Sequence, residues 1–241
     1  AGVDLTHFQQ TDERQTFSYS KPLLHHPGQA PEELSRLDIK NRTITPRAVE
    51  DKLITSLQTL APEIDVLIIM DQAGVAKMGS ITPRVLQAIA AIHRAQPALT
   101  IIADSRHGLS DFPPFIYKMN AAEFTSLTQS TCHLISDIQI QAARLAERNR
   151  HPVFITMAEQ GMIGATPEGE TAHAPARPLR GSIDIVGAGD TVTASLALAL
   201  AAGATPLESM EIAQAAANLV VHQLGTTGTP EPRELRQLLS T

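Results

Sequence analysis

Three short apolar runs restrict what this chain can fold into. They are Ile64 to Met70, Leu99 to Ala103 and Pro152 to Thr156, and each is continuous rather than alternating. Continuous apolar runs of this length are typical of strands that are buried on both faces of a parallel sheet. Helical patterns lie between the runs. The alternation therefore predicts an α/β doubly wound domain with helices on both faces of its sheet.

Signals for the ends of helices and strands support this alternation. The pair Thr82-Pro83 predicts a helix start, with threonine as the N-cap and proline as the first helical residue. Residues Thr205 to Glu208 predict a capping box that starts a second helix, which runs to about His222. Near the N-terminus, Gln15 to Ser20 alternates polar and aromatic residues, which predicts an exposed strand. The stretch from His25 to Glu33 contains two prolines and a glycine, and we expect a loop there.

Composition argues against two classes of protein. With 241 residues and 43% apolar content, residues 1–241 are predicted to form one domain with a packed core. A net charge of −6 and 3% aromatic residues argue against nucleic-acid binding. No apolar run approaches the roughly 18 residues of a membrane span, so we expect no membrane partner and a cytoplasmic location. Cys132 is the only cysteine, which fits a reducing compartment, and we expect it to be a small buried hydrophobe.

The turn Gly187-Ala188-Gly189-Asp190 opens a long apolar helix. Such a turn points backbone N–H groups and the positive end of the helix dipole at one spot, where an anion can bind. One interpretation of Asp190 is structural: a carboxylate in the first helical turn interacts favourably with the helix dipole and needs no other role. The glycines favour a second interpretation, because they let a substrate approach the backbone and leave the carboxylate free to accept a proton.

Residues 184–190 resemble the C-terminal signature of the ribokinase/PfkB superfamily of carbohydrate kinases, Asp-Thr-x-Gly-Ala-Gly-Asp, with Ile185 in place of the usual threonine. Residues 153–162 are similar to the strand and turn before this signature, and residues 215–226 are similar to the helix and loop after it. The resemblance implies a ribokinase-like fold with a small β lid. It also implies an enzyme that phosphorylates a sugar or sugar phosphate with ATP.

Three stretches look most like the bacterial heptose-7-phosphate kinase branch: Arg36 to Asp38, Glu159 to Met162 and Leu224 to Thr226. The product in that branch is a heptose bisphosphate. By this resemblance, residues 12–45 are lid and connecting segment, and residues 46–241 are the nucleotide-binding and catalytic core. Members of the superfamily are normally longer, so the N-terminal part, with the first strands and a sugar-binding signature, is expected to be missing.

The resemblance assigns chemistry to the glycine turn. Asp190 takes the proton from the sugar hydroxyl, and the backbone N–H groups of Gly187, Ala188 and Gly189 form the anion hole for the transferred phosphoryl group. Phosphoryl transfer needs little more from a protein than an aligned hydroxyl, neutralised phosphate charge and a proton acceptor. A purely structural turn is the alternative.

The stretch from Asn120 to Glu123 has two interpretations. Its spacing alone is equally that of a helix N-cap with glutamate at the third helical position. The superfamily places an Asn-x-x-Glu motif between the strands that end at Asp104 and Thr156. There the glutamate holds Mg²⁺, generally through water, and the asparagine lies near the phosphates. Capping and metal positioning can coexist.

Other residues receive roles on the nucleotide side. The resemblance puts Thr156, Glu159 and Gly161 near the phosphates and ribose of ATP, where an ordinary turn after a strand is the alternative. It puts Asn218 near the adenine edge, where a solvent-facing asparagine is the alternative. Open α/β sheets bind ligands at strand ends such as Thr156.

A cation site and a substrate contact complete the predicted site. Asp184 and Gly225 fall where many relatives bind a monovalent cation such as K⁺, mostly through backbone carbonyls. Arg106 falls where the heptose kinase branch has a lysine, so it keeps a positive charge for a substrate phosphate with a different geometry.

Three interpretations of function stay open. The first is the heptose-phosphate kinase, whose partners are a small sugar phosphate and ATP, with a homodimer as an open possibility. The second is another ribokinase-like enzyme, of the ribokinase or fructokinase type. The third is a catalytically silent paralogue that binds a sugar phosphate or a partner protein. Retention of both Asp190 and Glu123 favours an enzyme.

Overall fold

The structure is a computed structural model that describes residues 2–29, 31–130 and 134–240. Cys132 lies outside these residues, so its burial stays a prediction. The strands are β1 Ser18–Ser20, β2 Leu23–Leu24, β3 Glu32–Glu33, β4 Leu37–Ile39, β5 Val66–Asp71, β6 Thr100–Ser105, β7 Ile116–Asn120, β8 Val153–Thr156, β9 Met162–Ala165 and β10 Thr171–Ala174. The helices are α1 Arg47–Leu60, α2 Pro83–Ala95, α3 Ala121–Thr128, α4 Ile135–Asn149, α5 Ala188–Ala201, α6 Pro206–Val221 and α7 Pro232–Leu239.

One six-stranded sheet organises the molecule, with the order β10-β9-β8-β7-β6-β5. Strands β5 to β8 are parallel, and β9 and β10 complete the sheet in antiparallel pairing. The three continuous apolar runs form β5, β6 and β8, as the sequence predicts. The carboxyl ends of four parallel strands therefore meet at one edge of the sheet, which we call the carboxyl edge.

Helices cover both faces of this sheet. Along β8, Val153 and Ile155 belong to the core cluster that includes α2 and α4, whereas Phe154 belongs to the cluster that includes α5 and α6. Successive side chains of a strand point to opposite faces, so the two clusters are the two sides of one sheet. The prediction of a doubly wound α/β fold is confirmed.

Helix caps form where the sequence places them. The Thr82 side chain accepts a hydrogen bond from the Val85 N–H at the start of α2. Thr205 and Glu208 form a complete capping box at the start of α6, which ends at Val221 with His222 as its C-cap. Within the part of the chain that the structure describes, no helix is both long enough and apolar enough to cross a bilayer.

Four short strands form two small antiparallel sheets outside the main sheet. Strand β1 pairs with β4, and β2 pairs with β3. We call residues 18–39 the small-sheet segment, and none of its described residues is buried. The strand predicted over Gln15 to Ser20 forms only at Ser18–Ser20, where Ser18 and Tyr19 are half-buried and Ser20 is exposed. The predicted loop from His25 is wrong at its last two residues, because Glu32 and Glu33 pair with Leu24 and Leu23 in a short hairpin.

Candidate active site

The carboxyl edge brings together polar residues from four parallel strands. Asp71 and Ser105 are paired at the ends of β5 and β6, and Asn120 and Thr156 are paired at the ends of β7 and β8. Asp104 precedes Ser105 on β6. Open α/β sheets bind their ligands at this edge. The main predicted site residues of α3, α5 and β8 therefore lie on elements that begin or end there.

The glycine turn forms the start of α5. Gly187 is the N-cap with φ +83°, and a Cβ at this position would collide with Thr227 Cγ2, so both the backbone and the packing require glycine. Gly189 differs, because it is already helical and a Cβ there would make only ordinary contacts. The Ala188 N–H donates to Ile185 O at 3.2 Å, while the N–H groups of Gly189 and Asp190 find no acceptor among the described residues. The turn thus directs unpaired donors toward solvent at a helix N-terminus, where an anion binds well.

Asp190 lies in the first turn of α5 and is exposed. Its carboxylate has neither a hydrogen-bond partner nor an ion-pair partner in the described part of the chain. An exposed carboxylate without a partner is free to accept a proton from a substrate hydroxyl. The geometry is thus compatible with a general base at this position.

A buried ion pair lies directly beneath this turn. Lys118 of β7 donates to Asp104 Oδ2 at 2.7 Å, and Thr193 of α5 donates to the same oxygen at 3.1 Å. A Cβ built on Gly189 would lie 3.6 Å from Lys118 Nζ. Lys118 is not among the residues that the sequence predicts for the site. The only signal was a single charged residue between apolar neighbours at residues 116–119.

Asn120 and Glu123 form a complete capping box at the start of α3. The Glu123 N–H donates to Asn120 Oδ1 at 2.9 Å, and the Asn120 N–H donates to Glu123 Oε2 at 2.8 Å. Among the described residues, Glu123 Oε1 has no such partner. A carboxylate oxygen left free in this way is a suitable ligand for Mg²⁺ or for one of its waters. Capping is thus observed, and it leaves the metal role possible at the second oxygen.

The residues predicted for the nucleotide side divide between strand end and turn. The Thr156 hydroxyl donates to Met119 O at 3.4 Å, and Glu159 is exposed in a short 3₁₀ helix, Ala158–Gln160. Gly161 has φ +92°, and a Cβ there would collide with the backbone just after β10. Close backbone approach therefore accounts for this glycine, and a role toward ATP stays a prediction.

Asp184 and Gly225 are brought together by the loop before the glycine turn. Asp184 Oδ2 accepts from the Gly225 N–H at 3.2 Å, and Asp184 Oδ1 accepts from the Val186 N–H at 3.0 Å. On α6, half-buried Asn218 donates to Pro178 O at 3.3 Å. No group of three or more His, Cys, Asp or Glu side chains able to hold a metal occurs in residues 2–29, 31–130 and 134–240. The predicted cation role of Asp184 therefore has no support from a carboxylate cluster.

Arg106 reaches the small-sheet segment. Its guanidinium lies 5.4 Å from the centroid of the Tyr19 ring, which Arg36 and Lys40 also approach, at 5.0 and 5.5 Å. Asp38 pairs with Arg36 at 2.7 Å and with Lys40 at 2.9 Å. Hydrogen bonds from these two cations hold the pKa of Asp38 below its ordinary value. Three cations and one anion thus converge on one tyrosine, and we call this group the Tyr19 cluster.

The small-sheet segment packs over the loop after β5. The Tyr19 hydroxyl donates to Gln72 O at 3.1 Å. A cavity of about 330 Å³ lies at this junction, and its lining includes Phe17, Lys40, Gly74 and Met78. The volume is in the range of small-molecule sites. Two members of the Tyr19 cluster, Asp38 and Lys40, line this cavity.

Asp71 lies at the same junction, at the end of β5. It is buried at the end of β5 and accepts from the Ser105 hydroxyl at 3.3 Å. Burial raises the pKa of this carboxyl above its ordinary value. Asp71 is also absent from the predicted site, although it directly follows the apolar run that ends at Met70.

Comparison with protein families and sequences identifies related chains. The model described as pfkB family carbohydrate kinase matches residues 79–233. A protein named bifunctional protein HldE from Caulobacter sp. (strain K31) is 36% identical over an alignment of 182 residues that covers 72% of this chain and 35% of that protein. The HldE protein of Azotobacter vinelandii is 31% identical over an alignment of 242 residues that covers 98% of this chain and 47% of that protein. The chain spans less than half the length of these curated relatives.

Solved structures with the same fold are more distant in sequence. Arabidopsis thaliana ribokinase, complexed with ribose and ATP, has a TM-score of 0.65 and 18% identity, covering 88% of this chain and 66% of that one. Phosphofructokinase-2 from Escherichia coli, in complex with potassium, has a TM-score of 0.68 and 18% identity, covering 86% and 66%. At this identity the likeness concerns the fold alone. It confirms a ribokinase-like architecture.

Proposed function

Because this chain belongs to the pfkB family of carbohydrate kinases, we propose that it phosphorylates a sugar or sugar phosphate with ATP. The observation that carries the proposal is the exposed, unpaired carboxylate of Asp190 in the first turn of α5. This carboxylate is one residue from a backbone N–H that has no acceptor. A proton acceptor beside an anion-binding helix start is what phosphoryl transfer requires of a protein.

The proposed chemistry uses both parts of the turn. Asp190 takes the proton of the sugar hydroxyl as its oxygen attacks the γ-phosphorus of ATP. The N–H groups of the glycine turn bind the transferred phosphoryl group, and those of Gly189 and Asp190 are the ones without a partner. Gly187 shapes the turn, and Ala188 joins the anion hole when its N–H leaves Ile185. The positive end of the helix dipole favours this anion.

The nucleotide and the metal ions are assigned to individual residues as follows. We propose that Asn120 contacts the phosphates of ATP, that Thr156, Glu159 and Gly161 contact its phosphates and ribose, and that Asn218 approaches its adenine. Glu123 would hold Mg²⁺ through its free oxygen or through water, and the metal would neutralise phosphate charge. Asp184, with the nearby Gly225, is the proposed position for K⁺.

We further propose a phosphorylated substrate, heptose 7-phosphate in the first instance. Two observations support it: the Tyr19 cluster with Arg106, and the relatives named HldE. A guanidinium binds phosphate through two parallel hydrogen bonds, so Arg106 suits a sugar that already carries a phosphate. In this proposal residues 12–45 act as the lid. A homodimer and a cytoplasmic location stay predictions.

A sugar panel tests this proposal. The full-length protein is incubated with ATP, Mg²⁺ and one free or phosphorylated sugar at a time. The release of ADP is measured for each sugar. We expect the highest kcat/KM with a phosphorylated sugar. Arg106→Ala should raise KM for that sugar about ten-fold or more, because charged hydrogen bonds contribute about 1.5–3 kcal/mol each. Arg233→Ala, an exposed arginine on α7, is the matched control and should leave KM unchanged.

Each rival makes a different prediction in the same panel. Preference for free ribose or fructose would move the protein to the ribokinase or fructokinase type. Binding of ATP without turnover of any sugar would favour the silent paralogue. An equal KM for Arg106→Ala and the parent would remove Arg106 from substrate binding.

A further inference from the structure

The ion pair between Lys118 and Asp104 is buried at the carboxyl edge, beneath the glycine turn. The two side chains are 7% and 11% exposed, and they join neighbouring strands at the carboxyl edge. Taking two charges out of water costs several kcal/mol per ion, so a buried pair is weak evidence of a role in stability. Because burying the Lys118 charge costs free energy, a role other than stability has to explain why a lysine lies there.

The Lys118 ammonium faces the start of α5. A Cβ on Gly189 would lie 3.6 Å from Nζ, which places the charge against the residue before Asp190. An ammonium has three donor hydrogens, and Asp104 is its one hydrogen-bond acceptor among the described residues. Two donors thus remain beside the N–H groups that point into the anion site.

Asp104 fixes the ammonium relative to the helix. Its Oδ2 accepts from Lys118 and from the Thr193 hydroxyl, and this hydroxyl also lies 3.0 Å from Gly189 O. Strand β6, strand β7 and the N-terminal part of α5 are therefore linked through one carboxylate oxygen. Groups that the fold holds in place in this way stabilise developing charge without reorganising.

We propose that Lys118 is a catalytic residue, whose ammonium binds an oxygen of the transferred phosphoryl group, and that Asp104 and Thr193 are positioning residues for it. The proposal rests on the kinase activity proposed above. In the step, the sugar oxygen bonds to the γ-phosphorus, the bond to ADP breaks, and Asp190 receives the hydroxyl proton. Lys118 takes no part in the proton transfer and donates a hydrogen bond to an equatorial oxygen, where charge accumulates.

The first test compares Lys118→Met with Thr193→Val in the protein as the cell makes it. Lys118→Met should lower kcat by about 10²- to 10³-fold with little change in KM for the sugar, as expected for loss of one preorganised donor. Thr193→Val keeps the ammonium and should cost less. If Lys118→Met turns over like the parent, the inference is wrong. A parent without sugar kinase activity would instead overturn the proposed function.

The second test separates catalysis from a merely structural role. Calorimetry should show that Lys118→Met weakens binding of ATP more than binding of ADP, because only ATP carries the γ-phosphate. In Lys118→Ala, methylammonium should restore part of kcat, whereas tetramethylammonium, which donates no hydrogen bond, should not. A structural role predicts equal losses for ATP and ADP and no rescue by either amine, and that result would overturn the inference.

A folding control keeps both tests decisive. Lys118→Met leaves Asp104 buried without its cation, which can unfold the domain. Lys118→Met combined with Asp104→Leu removes both charges and relieves that penalty. This double variant should recover the melting temperature and remain at the low kcat. Recovery of kcat together with stability would show that the pair is structural.

Discussion

The carboxyl edge and the small-sheet segment hold their charges in opposite ways. At the edge, Lys118 and Asp104 are almost fully buried and make one short contact. In the small-sheet segment, the side chains of Arg36 and Lys40 are 44% and 34% exposed around Asp38. The buried pair cannot rearrange without loss of hydrogen bonds, whereas exposed pairs contribute little to stability and are screened by salt.

This difference suggests a division of labour. Fixed charges suit a reaction whose charge develops at one place, and adaptable charges suit recognition of the part of a substrate that does not react. Changes at the carboxyl edge should therefore lower kcat, and changes in the Tyr19 cluster should raise KM. Substitutions in the two regions test this difference.

The largest expected effect is that of Asp190→Asn at the edge. An amide cannot accept the hydroxyl proton, and loss of a general base typically costs about 10²- to 10⁴-fold in kcat. Binding of ATP, measured by calorimetry, should be retained. Asp137→Asn is the matched control, because Asp137 also lies in the first turn of a helix. Equal turnover by Asp190→Asn and the parent would exclude Asp190 from the mechanism.

The second prediction compares two glycines of one turn. Gly187→Ala should lower the free energy of unfolding by about 1–3 kcal/mol, because φ is positive and the new Cβ meets Thr227. Gly189→Ala should leave stability almost unchanged, since its Cβ fits. Its kcat should still fall, because the methyl group enters the space in front of Lys118. Urea unfolding and steady-state kinetics measure both, and full activity of Gly189→Ala would make the turn purely structural.

The main sheet was predictable where its strands carry their own signal. Strands β5, β6 and β8 are continuous apolar runs, and the caps at Thr82 and Thr205 depend on residues three positions apart. The short hairpin of β2 and β3 gave no such signal. Two residues are too few for a periodic pattern, so only their pairing with each other shows that they are strands.

The site was predictable at its local motifs and not at its long-range contacts. The glycine turn and the Asn120 to Glu123 box are each contiguous in sequence. The contacts of Asp104 join residues 14 and 89 positions away, so no local spacing reveals them. The sequence placed a strand at residues 99–103 that ends just before Asp104. It did not show that Lys118 pairs with Asp104 on the neighbouring strand.

A smaller effect is expected for Glu123→Gln. The amide keeps the capping hydrogen bond through its oxygen, but it is a poorer partner for Mg²⁺ or its waters. The Mg²⁺ concentration for half-maximal activity should rise several-fold, by about 1 kcal/mol in binding free energy. Glu208→Gln, in the capping box of α6, is the matched control and should leave the titration unchanged. An unchanged titration for Glu123→Gln would leave capping as the only role of Glu123.

The smallest effect concerns two aspartates whose pKa values shift in opposite directions. Burial raises the pKa of Asp71, so its stabilising contribution is present below its unfolded pKa and is lost as pH rises through the folded pKa. Hydrogen bonds from Arg36 and Lys40 lower the pKa of Asp38, so its contribution is present above the unfolded pKa and is lost as pH falls. Relative to the parent, Asp71→Asn should therefore gain stability as pH rises from about 4 to 7, whereas Asp38→Asn should lose stability as pH rises through the ordinary aspartate pKa of about 4 and change little above it. Urea unfolding over these two pH ranges measures how the stability of each variant changes, relative to the parent, as pH rises. The same sign for both variants would contradict the contrast between buried and exposed charge on which the division of labour depends.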